Sequence, residues 1–286
     1  RQGGVTNALV APSGGWISGQ AAVMTLAGDH ASQMVVPRAN GSSAVAMVAQ
    51  FDASAADAAS RGEMIARLRE LLLDVRAYGA NRAAFERNAT RQFAAPRADL
   101  EALQAVIDTT LPLMIAADRA SDIRSLIELR QRDKLPARFI IVGAAEGWQV
   151  AKELAAAKIP VMVGAMSNIP SSFDALGTRQ ENPALLKAAG VQVTLISNGS
   201  DNAENFNVQH IRHDAGNAVA YGLSWDDALR AITLAPAELF GVADRIGSLR
   251  AGRDANVVIW SGDPFEFATR AETVLIRGVV QTGSSR

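Results

Sequence analysis

Residues 111–164 read LPLMIAADRASDIRSLIELRQRDKLPARFIIVGAAEGWQVAKELAAAKIPVMVG. Three apolar runs, LPLMIA, RFIIVG and IPVMVG, alternate with two stretches of helical character, DIRSLIELR and GWQVAKELAAA, and a further run, VQVTLI, follows at 191–196. In the helical stretches Ile123, Leu126 and Ile127 form one stripe and Val150, Leu154 and Ala157 another, at the spacing of an amphipathic helix. The apolar runs show no polar alternation, the form taken by strands covered on both faces. Strand, helix, strand, helix in this order predicts an α/β protein with a parallel sheet. No G-x-G-x-x-G follows any run, so a closed (β/α) barrel of the TIM type is favoured over an open dinucleotide-binding sheet. The helical stripes read as core, not as cofactor contacts.

Downstream, residues 221–278 read YGLSWDDALRAITLAPAELFGVADRIGSLRAGRDANVVIWSGDPFEFATRAETVLIRG. Ser224 is an N-cap type, Asp226 and Asp227 suit the positive end of a helix dipole, and Ala228, Leu229 and Ile232 share a face, which predicts a helix from about Trp225 to Leu234. Pro236 fits the first turn of a second short helix that Gly241 closes. Beyond Gly247 and Gly252 the pattern changes to Val257-Val258-Ile259-Trp260 and Thr273-Val274-Leu275-Ile276, parted by the turn signal Gly262-Asp263-Pro264. Two helices give way to a small antiparallel sheet.

Upstream, the apolar run 5–11 ends at Pro12-Ser13-Gly14-Gly15 and is expected to be a buried parallel strand leaving into a loop. The GGWISGQ element at 14–20 can offer backbone amides to an anion, but glycines that simply permit a tight turn are the favoured reading. Asp29 and His30 lie between apolar stretches with no nucleophile or ligand beside them, which places them on the surface. A short run at 44–48 is followed by a helix-rich region, 61–108, in which Leu68, Leu71, Leu72 and Val75 share a face. Arg82, Arg87, Arg91 and Arg97 interleave with Glu86 and Asp99 and read as a solvated helix face.

The totals narrow the function. A chain of 286 residues, 49% hydrophobic and 20% charged, has material for one large barrel or two ordinary domains. With 28 Lys and Arg against 29 Asp and Glu there is no general pull toward phosphate backbones, and nucleic-acid binding is not expected. No cysteine is present, which excludes disulfides, thiolate metal sites and a Cys nucleophile, and leaves the cytoplasm and the periplasm both open. No apolar run is long enough for a membrane span.

The segments ALRAITLAPAELFGV, IGSLRAGRDANVVIWSGDP and ETVLIRGVVQ resemble the closing part of amidohydrolase-superfamily enzymes related to imidazolonepropionase and the prolidase-type amidohydrolases. The resemblance covers about 222–281. It implies a barrel over 1–245 and, over 246–286, returning strands of a small β-sandwich shared by both chain ends. It implies hydrolysis of carbon–nitrogen bonds in amides, cyclic imides or dipeptides, with a divalent metal such as zinc. In such enzymes GVTNALVAP would lie downstream of a first strand bearing a His-x-His motif, which this sequence does not contain. The chain, which starts without Met or a signal peptide, is therefore expected to be N-terminally incomplete and to need an oligomer or partner chain over the open side of its barrel.

In barrels the active site lies at the C-terminal strand ends. After LPLMI, Ala116 best matches the position where the family carries a His ligand. After RFIIV, Gly143 stands near the second. After VQVTLIS, Asn198 aligns with the family's Asp that steers the attacking water, with Asp201 as a displaced candidate. Ala116 and Gly143 cannot ligate, and three His in the whole chain leave few donors. His210 and His213, at i and i+3 on an expected helix beside Asp214, form a weaker alternative metal pair, lacking the Glu of H-E-x-x-H. Asp118, Arg119 and Glu146 are candidates for lining a pocket for a small polar molecule, or else for pairing with one another across the barrel mouth. The alternative to hydrolysis is a metal-free barrel that binds a small ligand or serves in assembly.

Overall fold

The computed structural model describes residues 3–51, 58–166, 170, 172–197 and 208–281. The chain opens with β1 (Asn7–Val10), β2 (Ile17–Thr25), the single turn α1 (Ala31–Met34) and β3 (Ala44–Gln50). The helices α2 (Arg61–Ala80), α3 (Arg82–Glu86) and α4 (Arg97–Ile107) follow. Then come β4 (Leu113–Ala117), α5 (Ala120–Arg132), β5 (Phe139–Gly143), α6 (Ala151–Ala156), β6 (Val161–Gly164), α7 (Asn182–Ala188) and β7 (Val193–Ile196). The chain continues through α8 (Ile211–Ala220), α9 (Trp225–Ile232), α10 (Leu234–Leu239), β8 (Val257–Trp260), β9 (Ala271–Ile276) and β10 (Val279–Val280).

Strands β3 to β7 are parallel and lie side by side in chain order, as the strand–helix alternation requires. The expectation fails at the start of the sheet. β1 is not a buried parallel strand but the edge of an antiparallel hairpin with β2, itself antiparallel to β3, and Val10 is half exposed. Gly14 and Gly15, both at positive φ, return the chain at once, so no crossover helix exists to cover a second face. Among the described residues β1 and β7 each have one strand neighbour, making the seven-stranded sheet a partial barrel.

Two cores lie on its two faces. Toward the helices, Leu113, Ile115, Phe139, Ile141, Val161 and Val193 pack with the stripes of α2, α4 and α5, including Leu68, Leu72, Leu100, Ile123 and Leu126. Each such side chain fully buried contributes roughly 1.5–3 kcal/mol. On the concave face Val48, Met114, Ile140 and Met162 meet Ala237, Phe240, Val242 and Ile246, from α10 and the segment after it.

The caps form as their sequences dictate. Ser60 Oγ accepts from Glu63 N while the Glu63 carboxylate accepts from Ala59 N at 2.8 Å. Ser224 Oγ accepts from Asp227 N at 3.1 Å. Gly247 has φ +90, and a Cβ there would overlap Ala237 Cβ, so the turn after α10 admits glycine alone. β8, β9 and β10 make a separate three-stranded antiparallel sheet. It is tied to the start of the chain by Asn256 Nδ2, which donates to Asn7 Oδ1 (2.9 Å), and by Arg277, which donates to the Gln33 carbonyl (3.0 Å).

Candidate functional site

Along β4, Leu113, Ile115 and Ala117 face the helices, so strand alternation turns Met114 and Ala116 to the concave side. By the same alternation Gln50, Val142, Gly164 and Ile196 close that side at the C-terminal strand ends, and the register pairs Gln50 with Ala116, Ala116 with Val142, and Gly164 with Ile196. This row, where a barrel enzyme presents its innermost functional groups, contains one amide and otherwise aliphatic residues or glycine.

The polar groups sit one step further out, in the loops. β5 ends on two consecutive left-handed residues, Gly143 (φ +88) and Ala144 (φ +50), a conformation that costs a non-glycine residue energy and needs support. The support is dense. Ala144 N donates to the Ala117 carbonyl (3.0 Å), and Glu146 N to the Asp118 carbonyl (2.9 Å). Ala145 N donates to Asp118 Oδ1 (3.1 Å), and the buried Asn182 at the start of α7 donates through Nδ2 to the Ala144 carbonyl (2.8 Å). A Cβ built on Gly143 would collide with Asp118 Oδ1. The Asp118 carboxylate thus fills the space into which a side chain at 143 would grow.

Glu146 links three strand ends. Its Oε2 accepts from Ala120 N (3.0 Å), at the first turn of α5 where the helix dipole favours a carboxylate, and its Oε1 accepts from Gly177 N (3.0 Å). Trp148 Nε1 donates to the carbonyl of the same Gly177 (2.8 Å), with Arg179 stacked 4.9 Å from the Trp148 ring.

An ion-pair cluster lies beside this network. Arg61, from the first turn of α2, donates to the Phe51 carbonyl (2.8 Å) and to Asp122 (2.9 Å), and pairs with Asp174. Arg119 pairs with the other oxygen of Asp174 at 2.6 Å. Burial pushes the carboxyls of Asp118 and Asp122 above the ordinary carboxylate value; for Asp118 the Ala145 amide opposes the shift, and for Asp122 the Arg61 charge does so first. Asp118 Oδ1 holds the Ala145 amide, whereas Oδ2 accepts no hydrogen bond among the described residues. A partly buried carboxyl with a raised pKa and an oxygen that accepts nothing from the described residues is equipped to exchange a proton with a bound molecule.

Asp118, Arg119 and Glu146 are therefore together at the C-terminal strand ends. Arg61, Asp122, Asp174 and Asn182, which no motif marks, complete the cluster. Asn198 and Asp201 lie outside the described residues. His210 and His213 have ring centroids 5.7 Å apart at the start of α8, with His213 also 5.5 Å from Phe267. Burial is the leading cause that lowers the His213 pKa, and its Nε2 is enclosed without a partner among the described residues.

A divalent metal needs several converging donors. The described residues do not fit one at the strand ends: Ala116 offers no donor, a side chain at Gly143 is excluded by Asp118, and among the described residues no three His, Cys, Asp or Glu converge. Nor, among them, is any helix long and apolar enough to cross a membrane.

Comparison with known proteins places this geometry. The sequence model of the amidohydrolase family matches residues 75–282. The structure of an amidohydrolase from Thermotoga maritima MSB8 superposes with a TM-score of 0.83 over 98% of this chain and 72% of that one, at 24% identity, a likeness of fold. Amidohydrolase tasK of Hapsidospora irregularis is 38% identical over 75 residues, which make up 26% of this chain and 8% of that protein. The chain thus matches under a tenth of that relative's length.

Proposed function

The chain belongs to the amidohydrolase family, and from that membership we propose that it hydrolyses a carbon–nitrogen bond, of an amide, cyclic imide or dipeptide, in a small polar molecule bound at the C-terminal ends of β4 to β6. The finer kinship we propose is with the imidazolonepropionase- and prolidase-type members. The family suggests a divalent metal; because the described residues do not fit one at these ends, no step is assigned to it.

The observation that carries the reading is the Asp118 carboxyl, raised in pKa and with no hydrogen bond to Oδ2 among the described residues, on the end of a parallel strand where this fold places its chemistry. In the proposed reaction Asp118 takes a proton from the water that attacks the carbonyl carbon and returns one to the departing nitrogen. Glu146 and Asn182 hold the strained β5 end against it, and Arg119 and Arg61 offset the charge of the surrounding carboxylates. Asn198 and Asp201 are further candidates for steering water.

The test is turnover of N-acyl amino acids, dipeptides and cyclic imides by the wild type and by Asp118→Asn, which keeps the acceptor for Ala145 N. Loss of about 10²–10⁴-fold in kcat/KM, the usual scale for a general base, supports the reading. Turnover that survives the substitution counts against it.

A second reading is a barrel that binds a small polar ligand without turning it over. The donor-free row of Ala116, Val142 and Gly164 favours it, and ligand binding to a chain inert on the whole panel would establish it. In either reading we divide the chain into a barrel unit over 1–245 and sandwich strands over 246–286. Among the described residues one edge of β1 has no strand neighbour, which supports association with another chain.

A further inference from the structure

Outside the strand-end cluster, a cleft of about 390 Å³ opens between α8 and the segment joining β8 to β9. That volume is within the range of small-molecule sites. Its floor is Gly216, where a Cβ would press on the Phe265 carbonyl, so glycine is what lets the loop approach the helix. Trp225 and Phe265 lie tilted at 43° with ring centroids 5.2 Å apart, and Phe267, 86% exposed, lies tilted against His213 at 5.5 Å.

The loop is held firmly. Arg212 donates to the carbonyls of Pro264 (2.7 Å), Glu266 (2.9 Å) and Thr269 (3.0 Å), so its guanidinium is committed to the loop backbone. Trp225 Nε1 donates to the Asp263 carboxylate at 3.0 Å, which fixes the ring. An exposed phenylalanine on a clamped loop loses apolar burial with no gain in the fold itself.

The charges lining the cleft are negative, from Asp263 and Glu266, and among the described residues no Lys or Arg lines it. Asn217 spends its Nδ2 on the His213 carbonyl (3.0 Å) and on Met166 Sδ, and its Oδ1 accepts no hydrogen bond among the described residues. Its environment holds His213 toward the neutral form. Electron-rich ring faces with carboxylates at the rim attract a weakly hydrated positive charge.

We propose that the cleft between α8 and the 262–268 loop binds a small organic cation, an alkylated ammonium group seated between the faces of Trp225 and Phe267 with its charge toward Asp263 and Glu266. This rests on the cleft alone and stands or falls independently of hydrolysis at the strand ends.

The probes are choline and its neutral isostere 3,3-dimethylbutan-1-ol, and the reporter is the Trp225 indole N–H resonance, assigned with Trp225→Phe. Choline is expected to shift it saturably with a dissociation constant of about 1 mM. The isostere should bind about fivefold more weakly, as should choline to Phe267→Ala, a loss in keeping with a partly exposed cation–π contact. Phe267 is so exposed that its removal leaves the fold intact; Glu266→Gln, which leaves the backbone carbonyl to Arg212, is the second variant and should also weaken choline. Equal affinity for choline and the isostere, no saturable shift with choline, or unchanged affinity in both variants would overturn the proposal.

Discussion

Replacing Gly143 with Ala introduces two separable penalties. At φ +88 the new side chain meets its own backbone, at a cost of about 1–2 kcal/mol for a left-handed L-residue. Its Cβ also collides with Asp118 Oδ1, so the carboxylate must move and release the Ala145 amide, which adds about 1 kcal/mol for a hydrogen bond lost at a half-buried donor. The sum, about 2–3 kcal/mol, should lower Tm by about 3–5 °C for a chain of this size. A double-mutant cycle separates the two parts. Asp118→Ala removes the collision but not the backbone strain, so Gly143→Ala should cost about 1 kcal/mol less in the Asp118→Ala background than in the wild type. Urea unfolding of the four proteins gives the coupling. Strictly additive costs would refute the claim that Asp118 occupies the space at position 143.

Glu146→Ala leaves the Ala120 and Gly177 amides without their acceptor, and thermal unfolding should show a loss of about 2–4 kcal/mol. Asp74 is fully buried, accepts from Ala94 N at 2.7 Å and pairs with the exposed Arg91; Asp74→Ala should cost about 1–3 kcal/mol, the penalty for leaving the Ala94 amide without its acceptor. For Asp118 the folded pKa lies above the unfolded one, so the native state binds this proton more tightly and the group's contribution to stability falls as pH rises from the ordinary carboxylate value to the raised one. Across that window the wild type should lose stability relative to Asp118→Asn, which stays neutral; a pH-independent difference would contradict the shift. If the open edge of β1 is covered by a second chain, light scattering should report a mass above that of one chain, and a clean monomer would count against association.

The parallel half of the fold was legible because strands β4 to β7 are almost wholly apolar on both faces and the helices between β4 and β6 carry their own stripes. Ser224 and Gly241 marked their helix ends for equally local reasons. The run 5–11 misled, since an apolar run does not say whether a helix or a hairpin follows it; only the immediate return at Gly14 and Gly15 decides that. Asp118, Arg119 and Glu146 could be picked out as strand-end charges. Their partners could not: Arg61 is 61 residues from Asp122 and 113 from Asp174, and much of the network runs through backbone amides that carry no sequence signal. Gly143 was visible as a glycine at a strand end, but that Asp118 fills its side-chain space follows from the left-handed turn, which Ala144 continues against its own preference.

We propose that the strand ends of this amidohydrolase-family chain are built around Asp118 and Glu146 in place of converging metal donors. Elemental analysis of protein purified with zinc and manganese present, then dialysed, tests it most directly. Far less than one divalent ion per chain is expected. About one ion per chain, lost together with Asp118→Ala or with His210→Ala and His213→Ala, would contradict it.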